Sequence, residues 1–376
     1  MSIDTLSETS RALLEDFDDQ SFCDLLVGFC EKDADAGDEN PLRSLFEPWV
    51  LQRLKLISTR AYAVFCGSFL TPLRLKFPRQ FWPHDLQGAL QRTEIAESGQ
   101  AGDVMPETYE HDMLALRRHG MPRGVHPGWA SLEEYYTVVP GHLTVVTGVS
   151  GHMKSTFLQA MCLNLAQQHG WRFGMFSPEN APVALAQSLL IQQGAGAHIQ
   201  QLTETEYFQW MAFVIYHFRQ IHPPDEVAPT LAYLLAVARL QVERYQINGF
   251  VIDPWNTIDH QYGRQQETNY ISECLSKILR FARHHQVHVW IVAHPTKMQK
   301  AQSGDYEGKY PPPKPYDISG SSHWFNKPDN CLTVWRDLDT DSPEVQIHVQ
   351  KVKFRSAGRI GGCTLRYHNY RFEEMS

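Results

Sequence analysis

Residues 143–170 read LTVVTGVSGHMKSTFLQAMCLNLAQQHG, and this stretch decides the fold. The short β-branched run at 143–147 predicts a buried strand. After a glycine-containing loop, apolar residues recur at helical spacing from Phe157 to Leu165, and Gly170 marks the end of a helix. A strand, a loop and a helix in this order predict a repeating unit of an α/β domain.

The loop itself carries a phosphate-binding pattern. Residues 148–155, GVSGHMKS, fit G-x-x-x-x-G-K-[ST] at Gly148, Lys154 and Ser155. In this pattern, backbone N–H groups and the helix N-terminus face the phosphates, the lysine neutralises β- and γ-phosphate charge, and the serine hydroxyl holds Mg²⁺. The predicted cofactors are therefore ATP and Mg²⁺. The predicted nucleotide contacts on this loop are Gly148, Gly151, His152, Met153, Lys154, Ser155 and Thr156.

Met153 departs from the pattern, because it stands where the second glycine belongs. Glycine at that position adopts unusual dihedral angles and brings the backbone close to a phosphate without a Cβ atom. We therefore expect the methionine to crowd the nucleotide or to reshape the loop. The sequence predicts a nucleotide site and leaves its rate of ATP hydrolysis open.

From about residue 125 onward, strand and helix patterns alternate. Helices with strands between them imply right-handed crossovers, so we expect an α/β fold with a mainly parallel sheet and helices on both faces. The predicted strands are 172–176, 249–253, 287–293, 331–335 and 345–352, and the predicted helices are 181–193, 203–220, 228–246 and 267–285.

Three of the predicted strands are followed by polar residues with candidate roles. Asp253 ends the strand GFVID and is a candidate Mg²⁺ ligand with Ser155; the alternative is a cap on the next turn. Glu179 is a candidate general base for the attacking water, provided that its strand lies beside the phosphate-loop strand; the alternative is an N-cap carboxylate before Pro182. His294 is a candidate γ-phosphate sensor, or alternatively a buried structural histidine.

The segment QKVKFRSAGR at 350–359 is basic. Strand alternation predicts that Lys351, Lys353 and Arg355 share one face. In a ring-shaped ATPase, such residues reach the phosphates bound by a neighbouring subunit. The alternative is a solvated edge face.

Composition sets broad limits on the class of protein. The chain has 376 residues, of which 43% are hydrophobic and 20% charged, which excludes a disordered, collagen-like or coiled-coil chain. The apolar run 61–73 is too short to span a bilayer, and the N-terminus lacks a signal-peptide pattern. The seven cysteines form no C-x-x-C pair, so we expect free thiols and a cytoplasmic location.

Charge and composition divide the chain into four parts. Residues 1–40 hold two basic and twelve acidic residues, which leaves the remaining chain slightly positive although the net charge is −8. Residues 41–92 predict a small module, and 93–124 predict a linker with a connecting helix. We expect a small, mostly helical N-terminal region followed by an ATPase domain over 125–376.

Taken together, these segments resemble the hexameric replicative DNA helicases of the DnaB superfamily, in the branch of the phage primase-helicases. The resemblance covers roughly residues 117–372 and rests on phrases that occur in the family's order. These phrases are GWASLEEYYTVVPGHLTVVTGV, HGWRFGMFSPEN, FVIDPWN, ETNYISECLSKILRFARHHQVHVWIVAHPTK, PYDISGSSHWFNKPDN and VQKVKF. The family implies a RecA-like ATPase core that translocates on single-stranded DNA.

The resemblance also implies roles for individual residues. Lys154 and Ser155 match the phosphate-loop pair, Glu179 the catalytic glutamate, Asp253 the magnesium aspartate and His294 the switch to the DNA loops. In addition, Arg336 resembles an arginine near the nucleotide. Lys351 and Lys353 fall where the family has Lys-x-Arg, the residues that reach into the next subunit. Lysine at 353 cannot make the bidentate fork of an arginine, and Arg355 is a candidate substitute.

The family's DNA contacts come from loops that line the ring's channel. Here these loops are about 256–268 and 296–322, with the candidate DNA-binding residues Arg264, Lys297, Lys300, Lys309 and Lys314. Cations on such loops follow the phosphate backbone without sequence preference; the alternative is ordinary solvated charge. No zinc-spaced cysteine pair or acidic primase cluster is visible in 1–116, so we expect no primase activity.

The sequence therefore supports two principal hypotheses. The first is an ATP-dependent hexameric helicase or translocase on single-stranded DNA, which contacts a replication protein through residues 1–92. The second is a RecA-like DNA-binding ring with weak or absent hydrolysis and a regulatory or scaffolding role, suggested by Met153 and Lys353. An open recombinase-like filament is a third, less favoured alternative.

Overall fold

The computed structural model describes residues 22, 23, 26, 50, 54, 109–121, 123–263 and 265–375. The chain divides into two compact units, Met1–Ala115 and Leu116–Ser376. The five described residues before 109 are helical. Most of the predicted N-terminal module, and with it the proposed partner contact of residues 1–92, lies outside the described residues.

The described part of the second unit contains one nine-stranded sheet. Its strands are β1 Leu143–Thr147, β2 Phe173–Phe176, β3 Phe218–Gln220, β4 Gly249–Ile252, β5 His288–Val292, β6 Asn330–Trp335, β7 Glu344–Val352, β8 Gly361–His368 and β9 Arg371–Glu374. The strand order is β3-β2-β4-β5-β1-β6-β7-β8-β9. The first six strands in this order pair in parallel, and β7, β8 and β9 add antiparallel strands at one side.

Helices connect the parallel strands and cover both faces of the sheet. The described helices are α1 Glu110–His119, α2 Ala130–Glu133, α3 Lys154–His169, α4 Val183–Ala195, α5 Glu204–His217, α6 Leu231–Tyr245, α7 Glu267–His285 and α8 His323–Asn326. The helices α3, α4 and α5 pack on one face of the sheet, and α6 and α7 pack on the other. The predicted α/β fold with a mainly parallel sheet is therefore confirmed.

Side-chain alternation along β1 explains how the two faces form. Leu143 and Val145 point into the core cluster under α6 and α7, whereas Val146 points into the cluster under α3. All five residues of β1 are buried, as expected for a strand with helices on both faces. The phosphate-binding loop therefore follows the strand that lies between β5 and β6, deep in the sheet.

One sequence-based expectation of the fold was wrong, and one hairpin was missed. The helix predicted over 203–220 ends at His217, and Phe218–Gln220 form the edge strand β3 instead. The hairpin strands β8 and β9 were not predicted. In the described residues, none of the helices combines the length and apolarity needed to cross a bilayer. Cys162, Cys274, Cys331 and Cys363 carry free thiols.

Candidate nucleotide-binding site

Four neighbouring parallel strands place the predicted catalytic residues at one edge of the sheet. In the order β2, β4, β5 and β1, their carboxyl ends lead to Glu179, Asp253, His294 and the loop 148–153. Ligands in open α/β sheets bind at this edge. One expectation needs correction, because β2 does not lie beside β1. Strands β4 and β5 stand between them, and Glu179 nevertheless reaches the same edge.

Glycine is required at the start of the loop. Gly148 has a φ of 153°, and a Cβ atom there would stand 2.4 Å from the carbonyl oxygen of Val334. Gly151 is exposed with a φ of 83°. The backbone therefore turns tightly against β6 before it enters α3. A tight turn into a helix start is the shape that a phosphate cradle needs, because the backbone N–H groups there can face an anion.

Met153 adopts a left-handed conformation, with φ 66° and ψ 26°. Glycine adopts this conformation freely, whereas it costs another residue about 1–2 kcal/mol. The methionine is half-buried against the core, and its Sδ accepts a hydrogen bond from Nη1 of Arg336 at 3.3 Å. The loop therefore keeps a glycine-like backbone, and the side chain lies against Arg336 and the core.

Lys154 is almost fully buried, with 6% of its surface exposed. Its ammonium donates a hydrogen bond to the Val149 carbonyl at 3.1 Å. Burial lowers the pKa of Lys154 to about 8, and the nearby Asp253 and Glu179 carboxylates oppose this change. An ammonium has three N–H donors, so donors remain for an anion in the cradle.

Ser155 and Asp253 form the candidate Mg²⁺ site. The Ser155 hydroxyl donates to Oδ1 of Asp253 at 3.0 Å, and Asp253 is 3% exposed. Burial raises the pKa of Asp253 to about 6 despite this hydrogen bond. A hydroxyl and a buried carboxylate are hard oxygen donors of the kind that Mg²⁺ prefers, so these two residues fit the metal.

Glu179 and His294 face the same space. Glu179 lies in the exposed turn Pro178–Asn180, and its charge raises the pKa values of Lys154, Asp253 and His294. Burial nevertheless lowers the pKa of the His294 imidazole, assisted by the positive charge of Lys154. His294 is therefore neutral at pH 7 and can donate one hydrogen bond and accept another.

His152 and Arg336 attach the loop to β6. The His152 ring is buried against Trp335, and its Nδ1 accepts the backbone N–H of Arg336 at 3.4 Å. Burial lowers the pKa of His152 to about 4, helped by the charges of Lys154 and Arg336. His152 therefore supports the loop as a neutral ring. Thr156 lies in the first turn of α3, and its carbonyl accepts from the Gln193 side chain at 2.6 Å.

One residue of this region was missed by sequence reasoning. Burial raises the pKa of the Tyr367 hydroxyl, and the nearby Arg336 guanidinium opposes this rise. Tyr367 thus stands beside the arginine that contacts the phosphate loop. Its place on β8 was not predicted from the sequence, although Cys363, Leu365 and Tyr367 alternate as strand residues do.

The basic run lies at the opposite edge of the sheet. β7 runs antiparallel to β6, so its end at Val352 pairs with Asn330, beside the start of β1. A five-residue strand spans about 16 Å, which separates these cations from the phosphate loop of their own chain. The basic run and the phosphate-binding loop therefore lie at opposite edges of the sheet.

The predicted strand face of this run is wrong. The pairing register slips at Gln350, where a β-bulge breaks the alternation, and β7 ends at Val352. Lys351 donates to the carbonyls of Phe325 and Asn326. Exposed Lys353 lies beyond the strand, and exposed Arg355 begins the short turn Arg355–Ala357.

The predicted DNA-binding lysines differ in their surroundings. Lys309 pairs with Asp337 at 2.6 Å, and Lys300 lies 3.6 Å from Asp339. Both aspartates belong to the loop after β6, which begins at Arg336 beside the phosphate loop. Lys297 and Lys314 are exposed. Arg264 lies outside the described residues.

Known proteins share both sequence and fold with this chain. Over 270 residues it is 40% identical to the chloroplastic and mitochondrial Twinkle homolog protein of Arabidopsis thaliana, which covers 69% of this chain. A structure described as a DnaB-like replicative helicase and its interactions with primase superposes with a TM-score of 0.60 over 93% of this chain and 87% of that one. These matches support the resemblance to the DnaB superfamily. No protein-family model matches the chain.

A second solved structure, described as an ATPase domain, superposes on this chain with a TM-score of 0.57 over 71% of this chain and 99% of that domain. Sequence identity to these two solved structures is 14% and 15%, so they support the fold alone. The chain spans 37% of the length of the Arabidopsis relative. That relative's name places it in organelles, and the cytoplasmic location of this chain stays a prediction.

The buried aspartate of this candidate site gives a stability prediction. Because burial raises the pKa of Asp253 to about 6 from 3.8, the folded chain binds a proton between these values that the unfolded chain has lost. Stability therefore falls as pH rises through this window, by about 3 kcal/mol. We expect Asp253→Asn to raise the free energy of unfolding at pH 7 by about 2–3 kcal/mol, and to raise it little near pH 4.

Urea unfolding at the two pH values measures this effect, with exposed Asp305→Asn as the matched control. A gain for Asp253→Asn at pH 7 that the control does not share is the expected result. Equal or lower stability of Asp253→Asn at pH 7 would contradict the burial argument.

Proposed function

We propose that this chain is the motor of an ATP-dependent hexameric helicase or translocase that acts on single-stranded DNA and has no primase activity. One observation carries the proposal. Five side chains lie together at the carboxyl ends of four neighbouring strands. They are buried Lys154, the hydrogen-bonded pair Ser155 and Asp253, and the residues Glu179 and His294. Lysine, serine, aspartate and a general base are the groups that phosphoryl transfer to water requires.

The described residues divide the chemistry among them. The loop 148–153 and Lys154 hold the β- and γ-phosphates of ATP. Ser155 and Asp253 would hold Mg²⁺, which would supply positive charge opposite the phosphate oxygens. Glu179 orients a water and accepts its proton as the water attacks the γ-phosphorus, while ADP leaves. His294 senses the γ-phosphate through its donor N–H. Arg336 contacts Met153 of the loop and Tyr367 lies near Arg336, so these two side chains are the candidate contacts for the rest of the nucleotide.

A ring explains the position of the basic run. Lys351, Lys353 and Arg355 cannot reach their own chain's loop, but the amino edge of one copy can face the carboxyl edge of the next. Head-to-tail contacts of this kind close into rings. In the ring, Lys353 and Arg355 stabilise charge on the phosphates of the neighbouring copy. A replication protein, such as a primase, is the partner proposed for residues 1–92.

Single-stranded DNA fits the lysine loop at 296–322. Lys297 and Lys314 are exposed, and Lys300 and Lys309 are held by Asp339 and Asp337. Because those aspartates follow Arg336, one segment links the phosphate loop to the DNA lysines. Movement of Arg336 on nucleotide binding would release the lysines to DNA phosphates.

Steady-state ATP hydrolysis with and without single-stranded DNA tests the proposal, with Lys154→Ala as the blank. Turnover well above the blank that DNA stimulates further supports the motor. Turnover equal to the blank would instead support the alternative, a RecA-like DNA-binding ring with a regulatory or scaffolding role. That alternative is favoured by Met153 and Lys353.

Substitution of Met153 distinguishes the ATP-driven motor from the ring with weak or absent hydrolysis. Because its side chain lies against Arg336 and the core, we expect Met153→Gly to change turnover by less than about threefold, which is under 1 kcal/mol in the barrier. Steady-state kinetics of the two proteins measures this, and Met161→Ala in the helix that follows is the control for lost packing. Turnover that appears only in Met153→Gly would favour the weak-hydrolysis ring.

A further inference from the structure

A buried carboxylate holds two surface cations at the amino edge of the sheet. Asp329 is 0% exposed, and its Oδ2 accepts the backbone N–H of Leu143 at 3.0 Å. Its Oδ1 lies 3.6 Å from Nζ of Lys353 and 3.6 Å from Nη2 of Arg283. Since both nitrogens face one oxygen, they lie no farther apart than twice this distance.

Both cations remain accessible. The side chain of Lys353 is 46% exposed and that of Arg283 is 56% exposed. At 3.6 Å, the two nitrogens contact the carboxylate by charge and keep their N–H donors for another acceptor. Two positive charges on one carboxylate leave a net positive charge. The arrangement suits a second anion that approaches from solvent.

Among the neighbouring groups, Lys351 adds positive charge near Asp329 and Lys353, but its ammonium is already bound to backbone carbonyls. The His142 ring lies beside Phe354, with 5.2 Å between ring centroids. Burial lowers the pKa of His142, so it is neutral at pH 7. Lys351 is turned toward the carbonyls of Phe325 and Asn326. Lys353 and Arg283 therefore form the accessible cation pair around Asp329.

The two cations beside Asp329, Lys353 and Arg283, differ in chemistry. Lysine presents a point charge, whereas arginine presents a planar fork that contacts two phosphate oxygens at once. We propose that Arg283, at the end of α7, supplies the guanidinium that position 353 lacks, and that Asp329 positions Arg283 and Lys353 toward the γ-phosphate bound by a neighbouring copy. This inference rests on the ring of the proposed function.

Kinetics of single and double variants test the role of Arg283. We expect Arg283→Gln to lower kcat at least about tenfold, with little change in KM for ATP. Arg280→Gln, an exposed arginine one turn earlier on α7, is the matched control and should retain turnover. In a Lys353→Arg background, Arg283→Gln should cost less than about threefold, since the guanidinium is then present at 353.

Two outcomes of these kinetics would overturn the inference. Unchanged turnover of Arg283→Gln would show that the guanidinium is not used. If Arg283→Gln lowers kcat by the same factor in the wild type and in the Lys353→Arg background, Arg283 acts on stability rather than on phosphate. Asp329→Asn, as a positioning variant, should lower kcat in the same way as Arg283→Gln.

Mixing of two impaired variants separates this inference from the proposed function. Lys154→Ala lacks a working phosphate loop but keeps Arg283 and Lys353 at the amino edge. Arg283→Gln keeps a working phosphate loop but lacks the guanidinium at that edge. Random mixing in a ring makes roughly one interface in four complete, so turnover of the mixture should exceed that of either variant alone. Asp329→Asn should gain in the same mixture, which a misfolded subunit would not do.

A control mixture of Lys154→Ala with Lys353→Ala shows which conclusion follows if the Arg283→Gln mixture does not gain turnover. If the control mixture gains turnover and the Arg283→Gln mixture does not, the inference is wrong and the ring stands. If neither mixture gains turnover, cations do not act between copies, and both the inference and the ring mechanism are wrong.

Discussion

Glu179→Gln is expected to lower ATP turnover by about a thousandfold while ATP still binds. A positioned general base contributes about 10²–10⁴-fold, and glutamine has nearly the shape of glutamate without its basic oxygen. Glu179 lies in an exposed turn, beyond the buried Lys154 and Asp253. Its removal therefore leaves the candidate phosphate loop and the candidate Mg²⁺ ligands in place, and the loss should appear in kcat.

Steady-state kinetics and equilibrium binding of an ATP analogue, measured on the same protein, test this expectation. Glu204→Gln, an exposed glutamate in the first turn of α5, is the matched control. Weakened ATP binding with unchanged kcat would contradict the role, because Glu179 would then hold nucleotide rather than activate water. Full activity of Glu179→Gln would show that another residue is the general base.

Lys154→Ala is expected to abolish turnover and to weaken ATP binding. The ammonium is the buried positive charge of the cradle, and donors aimed at developing phosphate charge are each worth about 10²–10³ in kcat. Its loss also leaves Asp253 and Glu179 without the cation between them, so repulsion of the triphosphate should increase. The combined loss in kcat/KM should reach about 10⁴-fold.

Lys277→Ala provides the control for this prediction. Lys277 is an exposed lysine on α7 that pairs with Glu273, so its loss removes the same charge from the surface instead. DNA-stimulated hydrolysis by the three proteins gives the comparison. Measurable turnover in Lys154→Ala would show that the loop 148–155 is not the nucleotide site.

Periodicity was sufficient to predict most of the fold. α7 spans Glu267–His285 as predicted, because its apolar residues form one continuous helical face. β3 was missed because Phe218 continues the apolar pattern of α5 by sequence alone. Its strand conformation depends on pairing with Phe173 of β2, which is 45 residues away in sequence and invisible in a local window.

The candidate site was predictable where residue spacing determines position. The strand–loop–helix unit placed Lys154 and Ser155, and the strand ends placed Asp253 and His294. The direction of the Met153 side chain depends instead on Arg336, which lies 183 residues later. The grouping of Arg283 with Lys353 likewise depends on Asp329, through contacts that no local pattern encodes.

Lys300 and Lys309 already have aspartates of their own chain as counter-ions. To bind a phosphate of the proposed DNA, Lys309 must first leave Asp337, which it contacts at 2.6 Å, whereas Lys300 lies 3.6 Å from Asp339 and keeps N–H donors for DNA. Added salt weakens that internal pair as well as the contact with DNA, so the two effects oppose each other. Affinity for single strands should then fall with salt less steeply than the roughly 0.7 per phosphate contact of freely solvated cations. The motor would hold its strand over a wider range of ionic strength than its number of lysines suggests.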